Sequence, residues 1–465
     1  MLAAAYAQHP EMDSSCTSKI TDKGTNSRRG ARYRHMKTAS RLANIYLRLK
    51  EDAYAFDVCR ALLLISWQQF GTDDTVDSYL TKSCAIRVCI ALGLHQDDID
   101  READVSYSLH HVPNRGRINA NIDLEERRIT MSLAFASDRG AMFATMFPGN
   151  IVEEDYTASL PRFTLAGFLR GSFDESTYSQ EPLFIQSLDL FSREVLDAQE
   201  LETKGTVLLG RCAQFIFRHP RGRDRSSFSA QPMFKQLESH IASLSHMTRT
   251  VADRMQGNKS NSVNSALFQF LTSPANIKSI YRNQMIVSTL IPYACVLTLH
   301  EPLANHNAES ESACFAACRN SVSVLKVSNC GLLLGGRVKR CQTDLDSSIP
   351  FTQFCSLNAE EEMARFVGLL THIVGMIGKS LVRQLNLLCS RSISQAVSEV
   401  ESHHSWDFVD FSDSINLLRA DLDVILSLLD FNGQKFPVAL GQRQSLLKLL
   451  EFSPHHRFRN LFTVK

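Results

Sequence analysis

The chain has 465 residues, with 50 Lys+Arg against 49 Asp+Glu, a formal net charge of +1. Apolar residues make up 44% and charged residues 21%, which permits a sizeable core and argues against global disorder. Only 21 Gly and 13 Pro disfavour a turn-rich β-sandwich or barrel, and the balanced charge excludes nucleic-acid binding through an overall basic field.

Apolar residues recur with a period near 3.6, which predicts an all-α protein, an irregular multi-helix bundle with no regular repeat. Val58, Ala61, Leu62, Ile65 and Gln69 lie at helical spacing, and Leu62-Leu63-Leu64-Ile65 predicts burial on more than one side. Gly71-Thr72-Asp73-Asp74 ends this helix, with Asp74 or Thr75 as the N-cap of the next. The second helix carries Leu80, Cys84, Ile86, Val88, Cys89, Ile90 and Leu92, and Gly93 stands where a C′ glycine belongs. Residues 96–121 are polar and read as a long surface loop. A third helix is predicted from about Leu124 to Phe147, stopped by Pro148-Gly149.

Beyond Leu160-Pro161 the pattern changes, and Gly167 to Glu181 read as linker. Helices are predicted at about 183–218, 233–256, 275–300, 309–334, 359–389 and 412–430, with a kink at Pro292. Breaks fall at Arg218 to Gln231 and Gln256 to Ser265. The expected organisation is a core over residues 1–165, a linker over 166–182, a helical continuation over 183–335, a loop over 336–358 and a C-terminal helical region over 359–465.

The twelve cysteines contain no Cys-x-x-Cys pair. Structural zinc sites use ligands paired at short spacing in loops, so these read as reduced, buried, small apolar side chains. Gly375-Met376-Ile377-Gly378-Lys379-Ser380 resembles a phosphate loop in part, but it has two residues between its glycines where four are needed, inside a helical run. Helix packing at glycines is the better reading. Asp97-Asp98-Ile99-Asp100 has Arg101 where a metal-binding aspartate motif needs a carboxylate. His110-His111, His403-His404 and His455-His456 have no ligand partners at metal spacing and read as surface residues. The basic clusters at Arg28–His35 and Arg218–Arg225 read as solvated. No transmembrane-length apolar run is present.

The third helix breaks the simple amphipathic rule. Arg127 and Asp138 are eleven residues apart, about 1100°, hence within about 20° of one azimuth, and Arg128 and Arg139 share another. Charges amid so much apolar sequence are expected to be paired and hydrogen-bonded, most simply as a structural network. Asp138 is expected to be buried, ionised and paired with an arginine of a neighbouring helix. Arg87 is the favoured partner, because it stands inside the apolar Ala85–Leu92 segment.

Four blocks then carry a family resemblance. They are Cys59 to Phe70, then Tyr79 to Asp97 with Ala85-Ile86-Arg87 and Leu92-Gly93-Leu94-His95-Gln96-Asp97, then Glu126-Arg127-Arg128 with Asp138-Arg139, then Pro148, Ile151, Asp155 and Leu160-Pro161. In this order they resemble the fungal-specific transcription factor domain, the regulatory middle region of fungal zinc binuclear cluster regulators of the xylanolytic-activator type. Thinner similarity covers residues 1–50 and 275–330, including Leu299-His300-Glu301-Pro302-Leu303. The family's Trp-Trp pair is replaced by Met131 and Ser132.

The resemblance implies that residues 1–165 are the regulatory core, expected to be N-terminally truncated. Its motif residues, structural or regulatory in role, are Arg87, His95, Asp97, Glu126, Arg127, Arg128, Asp138, Arg139, Asp155 and Pro161. It implies a nuclear regulator of RNA polymerase II transcription, not an enzyme, with no catalytic, cofactor-binding or metal-binding residue in this chain. Zinc is expected only if a cysteine cluster lies upstream. Implied partners are transcriptional coregulators or a DNA-binding partner, with a homodimer and a small-molecule effector as further candidates. Direct DNA binding by this chain is expected to be weak or absent, and no membrane partner is expected. The alternatives are a helical metal-dependent enzyme of the isoprenoid-synthase type and a pure helical interaction scaffold.

Overall fold

The computed structural model describes residues 37–43, 45, 52–96, 120–161, 181–195, 198–218, 225–255, 275–328, 369–402, 412–433 and 436–451. These residues are helical apart from turns and connecting segments, and among them the only β-pairing is an isolated antiparallel bridge between Ser159 and Phe184. The all-α reading therefore holds. Besides a helical stretch at residues 37–43, the helices are α1 (Asp52–Gly71), α2 (Thr75–Ala91), α3 (Ala120–Thr145), α4 (Ala198–Arg218), α5 (Pro232–Met255), α6 (Ala275–His300), α7 (Ala308–Ser328), α8 (Leu369–Ser402), α9 (Ser412–Gly433) and α10 (Pro437–Glu451).

The chain divides into two compact units, one of residues 1–213 and 242–285, the other of residues 214–241 and 286–465. In the first unit α1 and α2 form a helical hairpin. Leu62, Leu63, Ile65, Ser66, Gln68 and Gln69 of α1 are all buried, as the apolar run requires. The turn closes through Asp74 N–H donating to Gln69 O at 3.0 Å, with Asp73 at φ 70°. Asp74 is the N-cap of α2 but makes no capping bond; its carboxylate accepts the Thr72 hydroxyl at 3.0 Å instead.

Helix α2 ends as the sequence predicts. Gly93 has φ 71°, Leu94 N–H donates to Cys89 O at 3.0 Å, and Gly93 N–H donates to Ile90 O at 2.9 Å. These two bonds are those of a Schellman cap, in which the left-handed residue is best served by glycine. Ser78, Lys82, Ala85, Ile86 and Cys89 are buried, so α2 packs against both α1 and α3. Ile90, expected in this core, is 37% exposed, because the four-residue step from Ile86 to Ile90 turns it past the α1–α2 seam. Helix α3 buries Met131, Ala134 and Phe135 completely.

In the same unit the segment 181–195 makes turns where the sequence predicted helix from about 183, and α4 begins only at Ala198. Leu188 in these turns is almost fully exposed, whereas Leu190 and Phe191 are buried. Lys204 of α4 is wholly buried and satisfied by Glu200 at 3.1 Å and by Arg193 O at 3.0 Å.

The second unit has its core in α6 from Ile286 onward and in α7–α10. Helix α6 continues across Pro292 to His300. Helix α8 packs on α7, α9 and α10. Gly375 and Gly378 of α8 sit directly against Gln442 and Leu446 of α10; a methyl group on Gly375 would lie 2.5 Å from Gln442 Oε1. The Gly-Met-Ile-Gly-Lys-Ser stretch is thus a helix-packing face. Asp421 of α9, 2% exposed, takes Lys326 at 2.7 Å and Arg319 at 3.4 Å from α7. Helix α10 falls in the C-terminal helical region expected over 359–465, where the sequence reading placed no separate helix. Its signals were Pro437 at the first helical position and the apolar Val438, Ala439 and Leu446.

Candidate functional site

The residues of the four sequence blocks meet around α3 and the segment that follows it. Phe147 packs edge-on against Tyr79 of α2, with ring centroids 5.0 Å apart. The chain then bends through Pro148-Gly149-Asn150 and returns as a single 3-10 turn, Glu153–Asp155. Tyr156, Ala158, Ser159 and Leu160 are buried, with Tyr156 against Phe135 at 5.3 Å between rings.

Asp138 organises this bend. Its side chain is 1% exposed. Its carboxylate accepts the main-chain N–H of Asn150 at 3.0 and 2.9 Å, the Asn150 side-chain amide at 2.8 Å and the main-chain N–H of Ile151 at 3.2 Å. Arg139 adds an ion pair at 3.4 Å. Arg139 also donates to Ile151 O at 2.8 Å and lies 4.4 Å over the Phe135 ring. Burial pulls the Arg139 guanidinium below its ordinary range, with Asp138 and then Glu153 opposing that pull.

This arrangement corrects the expected Arg87–Asp138 pair. Arg87 is exposed and makes no ion pair or hydrogen bond with Asp138. The reason is azimuth. Lys82 and Arg87 are five residues apart on α2, about 500° or 140° net, so only one of them can face α3. Lys82 is the one that does. It is 3% exposed and donates to Ser137 O at 3.3 Å. Burial lowers its pKa to about 8, while the Asp138 charge acts in the opposite direction. Trp67 of α1 meets the same turn of α3, donating to Ser137 Oγ at 2.9 Å.

Other motif residues serve the same scaffold. His95 offers its carbonyl to the N–H groups of Thr157 and Ala158, both at 2.8 Å, which ties the end of α2 to the returning segment. Glu126 faces Arg60 of α1 at 3.7 Å. Arg128 and Glu125, 5% and 0% exposed, face one another at 3.7 Å. Arg127 and Arg128 also line a cleft with Gly93, Leu94, Gln96, Leu124 and Ala158, about 220 Å³ out to open solvent. Asp155 is exposed and closes the 3-10 turn. Pro161 is half-buried at the end of the segment. Met131 and Ser132 are both buried, at 0% and 4% exposure. Asp97, the histidine pairs and the cluster Arg28–His35 lie outside the described residues.

Sequence reasoning missed three participants besides Lys82. Gly149 and Gly210 of α4 approach Arg139 so closely that a methyl group on either would collide with its side chain. Arg211 of α4 pairs with Glu153 of the 3-10 turn and donates to Ile185 O at 2.9 Å. The signal for Lys82 was present, since Ser78, Lys82, Ala85 and Cys89 share one helical face. No group of three or more His, Cys, Asp or Glu placed to hold a metal occurs among the described residues. No described helix is long and apolar enough to cross a membrane.

Searches of curated proteins and of solved structures returned no match. The model of the fungal specific transcription factor domain matches residues 1–271, more than half of the chain and all four blocks just described. On that match this chain belongs to the fungal specific transcription factor domain family and carries a transcription-regulator domain.

Proposed function

We propose that the chain is the regulatory module of a nuclear RNA polymerase II transcription factor, holding it on or off through contacts with other proteins. DNA reading is supplied by a zinc cluster or by a partner chain. The reading rests on the family match, a family of transcription regulators and not of enzymes. The observation that carries it is the use of the motif charges. Asp138, Arg139, Arg128 and Lys82 are buried and partnered inside the scaffold, where they hold its elements together and are not presented to a substrate. The cleft beside Arg127 and Arg128 is open to solvent and encloses room for about one water molecule, which favours protein partners over a small-molecule effector there.

The test is a reporter assay with the full chain fused to an unrelated DNA-binding domain. Recruitment to the promoter should raise or lower reporter output, and Asp138→Ala should reduce that effect. A soluble, nuclear fusion protein that leaves output unchanged would sink the reading. In a gel shift at physiological salt the purified chain should bind DNA without sequence preference. Specific sites are bound about 10³–10⁷-fold tighter than non-specific DNA, so selective nanomolar binding would show that the chain reads DNA itself.

A further inference from the structure

Cys59 of α1 and Cys89 of α2 face each other across the helical hairpin. Both are fully buried, and their Sγ atoms lie 2.8 Å apart. That is only about 0.8 Å beyond the length of a disulfide bond. Cys59 Sγ also points at Ala85 O, 3.5 Å away and one turn before Cys89, so its side chain is aimed at this part of α2. The two residues are 30 apart in sequence and are held by helices that pack along each other, so the folded hairpin already brings the two sulfurs into contact. Cys84, on the same helix, is half-exposed and close enough to Cys59 for the two thiols to influence each other.

We propose that Cys59 and Cys89 form a reversible disulfide that staples α1 to α2 when the protein meets a hydroperoxide. The site is independent of the transcriptional reading above. In the first step one thiol, as its thiolate, attacks a peroxide oxygen. The O–O bond breaks, a sulfenic acid forms and the other oxygen leaves as water. In the second step the facing thiol attacks the sulfenic sulfur, the S–O bond breaks and a second water leaves. Each sulfur loses one electron, and hydrogen peroxide takes up both: two thiols plus peroxide give one disulfide plus two waters. The Cys59 contact and burial hold the Cys89 thiol well above its usual range and keep both sulfurs from solvent, so oxidation proceeds through transient local opening of the α1–α2 hairpin and answers to sustained oxidant, not to brief exposure. Disulfides in reducing compartments are generally of this transient, sensing kind. A cross-link between residues this far apart restricts the unfolded chain, so the oxidised form should melt at a higher temperature.

The experiment uses the full chain, purified reduced and then incubated for hours with hydrogen peroxide. Free thiols are alkylated under denaturing conditions and tryptic peptides are mapped by mass spectrometry. Trypsin cuts after Arg87 and so separates Cys84 from Cys89. The expected result is a linked Cys59–Cys89 peptide pair, abolished by dithiothreitol, in the wild type and equally in Cys84→Ser. Oxidation should raise the Tm of both proteins but not that of Cys89→Ser. If Cys89→Ser does not fold, the linked peptide in the wild type and in Cys84→Ser decides. Full alkylation of Cys59 and Cys89 after oxidant has already modified Cys84 would overturn the proposal, and so would a Cys59–Cys84 link in place of Cys59–Cys89.

Discussion

Asp138 holds Asn150 by three hydrogen bonds, two to its main-chain N–H at 3.0 and 2.9 Å and one to its side-chain amide at 2.8 Å. With the Ile151 N–H at 3.2 Å, the carboxylate pins the chain where it leaves α3 and turns back toward α2. A buried carboxylate satisfied by main-chain donors has its partners fixed by the backbone, and no neighbouring helix has to supply an arginine.

Asp138→Ala should therefore destabilise the full chain by about 3–5 kcal/mol, since it strands the Asn150 and Ile151 N–H groups and the Arg139 charge together. Arg87→Ala, at an exposed position, should stay within about 0.5 kcal/mol of wild type. Denaturant melts of both singles and the double variant check this. The double should equal the sum of the singles, and a clear shortfall would restore the Arg87 pairing.

Gly210→Ala sets two effects against each other. Alanine in a helix interior gains up to about 1 kcal/mol over glycine. Here the added methyl group would collide with the Arg139 side chain, and overpacking of this kind costs about 1–3 kcal/mol. The expected net result is a lower Tm. In an Arg139→Ala background the two closest contacts are removed and only the Cβ contact at 3.1 Å remains, so Gly210→Ala should cost clearly less. Equal effects in the two backgrounds would refute the contact.

Lys82 should impose a pH dependence in the alkaline range. Its folded pKa of about 8 lies below the ordinary 10.5, so between those values the unfolded chain binds more protons than the folded one. Stability from this group is present above pH 10.5 and lost as pH falls through about 8. Lys82→Met should stabilise near pH 7 by on the order of 2–3 kcal/mol, with the advantage vanishing near pH 10.5. Melting curves of both proteins across pH 7–10.5 test it, and a difference independent of pH would contradict the assignment.

The packing of α1, α2 and α3 rests on side chains that the sequence alone identified. Leu62→Ala and Phe135→Ala should each cost about 2–5 kcal/mol, because Leu62 is 3% and Phe135 0% exposed. Val76→Ala and Leu80→Ala, on the exposed face of α2, should have little effect on stability. Thermal melts of the four variants make the comparison.

The local features followed from local chemistry and were legible in the sequence. Helix ends at Gly71, Gly93 and Pro148 depend on residues within one turn of the break, and the burial of Leu62, Ile86 and Phe135 follows from helical periodicity. The four blocks were legible as a family pattern for the same reason, since each is a short run on one element. The partner of Asp138 was not legible. Sequence could place it on an apolar helix and require that it be satisfied, but the satisfying groups are main-chain N–H groups twelve and thirteen residues on, and every residue except proline offers one. The choice of Lys82 over Arg87 likewise depended on which face of α2 turns toward α3, a rotation fixed by the packing of Ala85, Ile86 and Cys89 against α1 and α3 together. Side-chain identity and spacing determined the elements; only the docking of those elements decided which charges met.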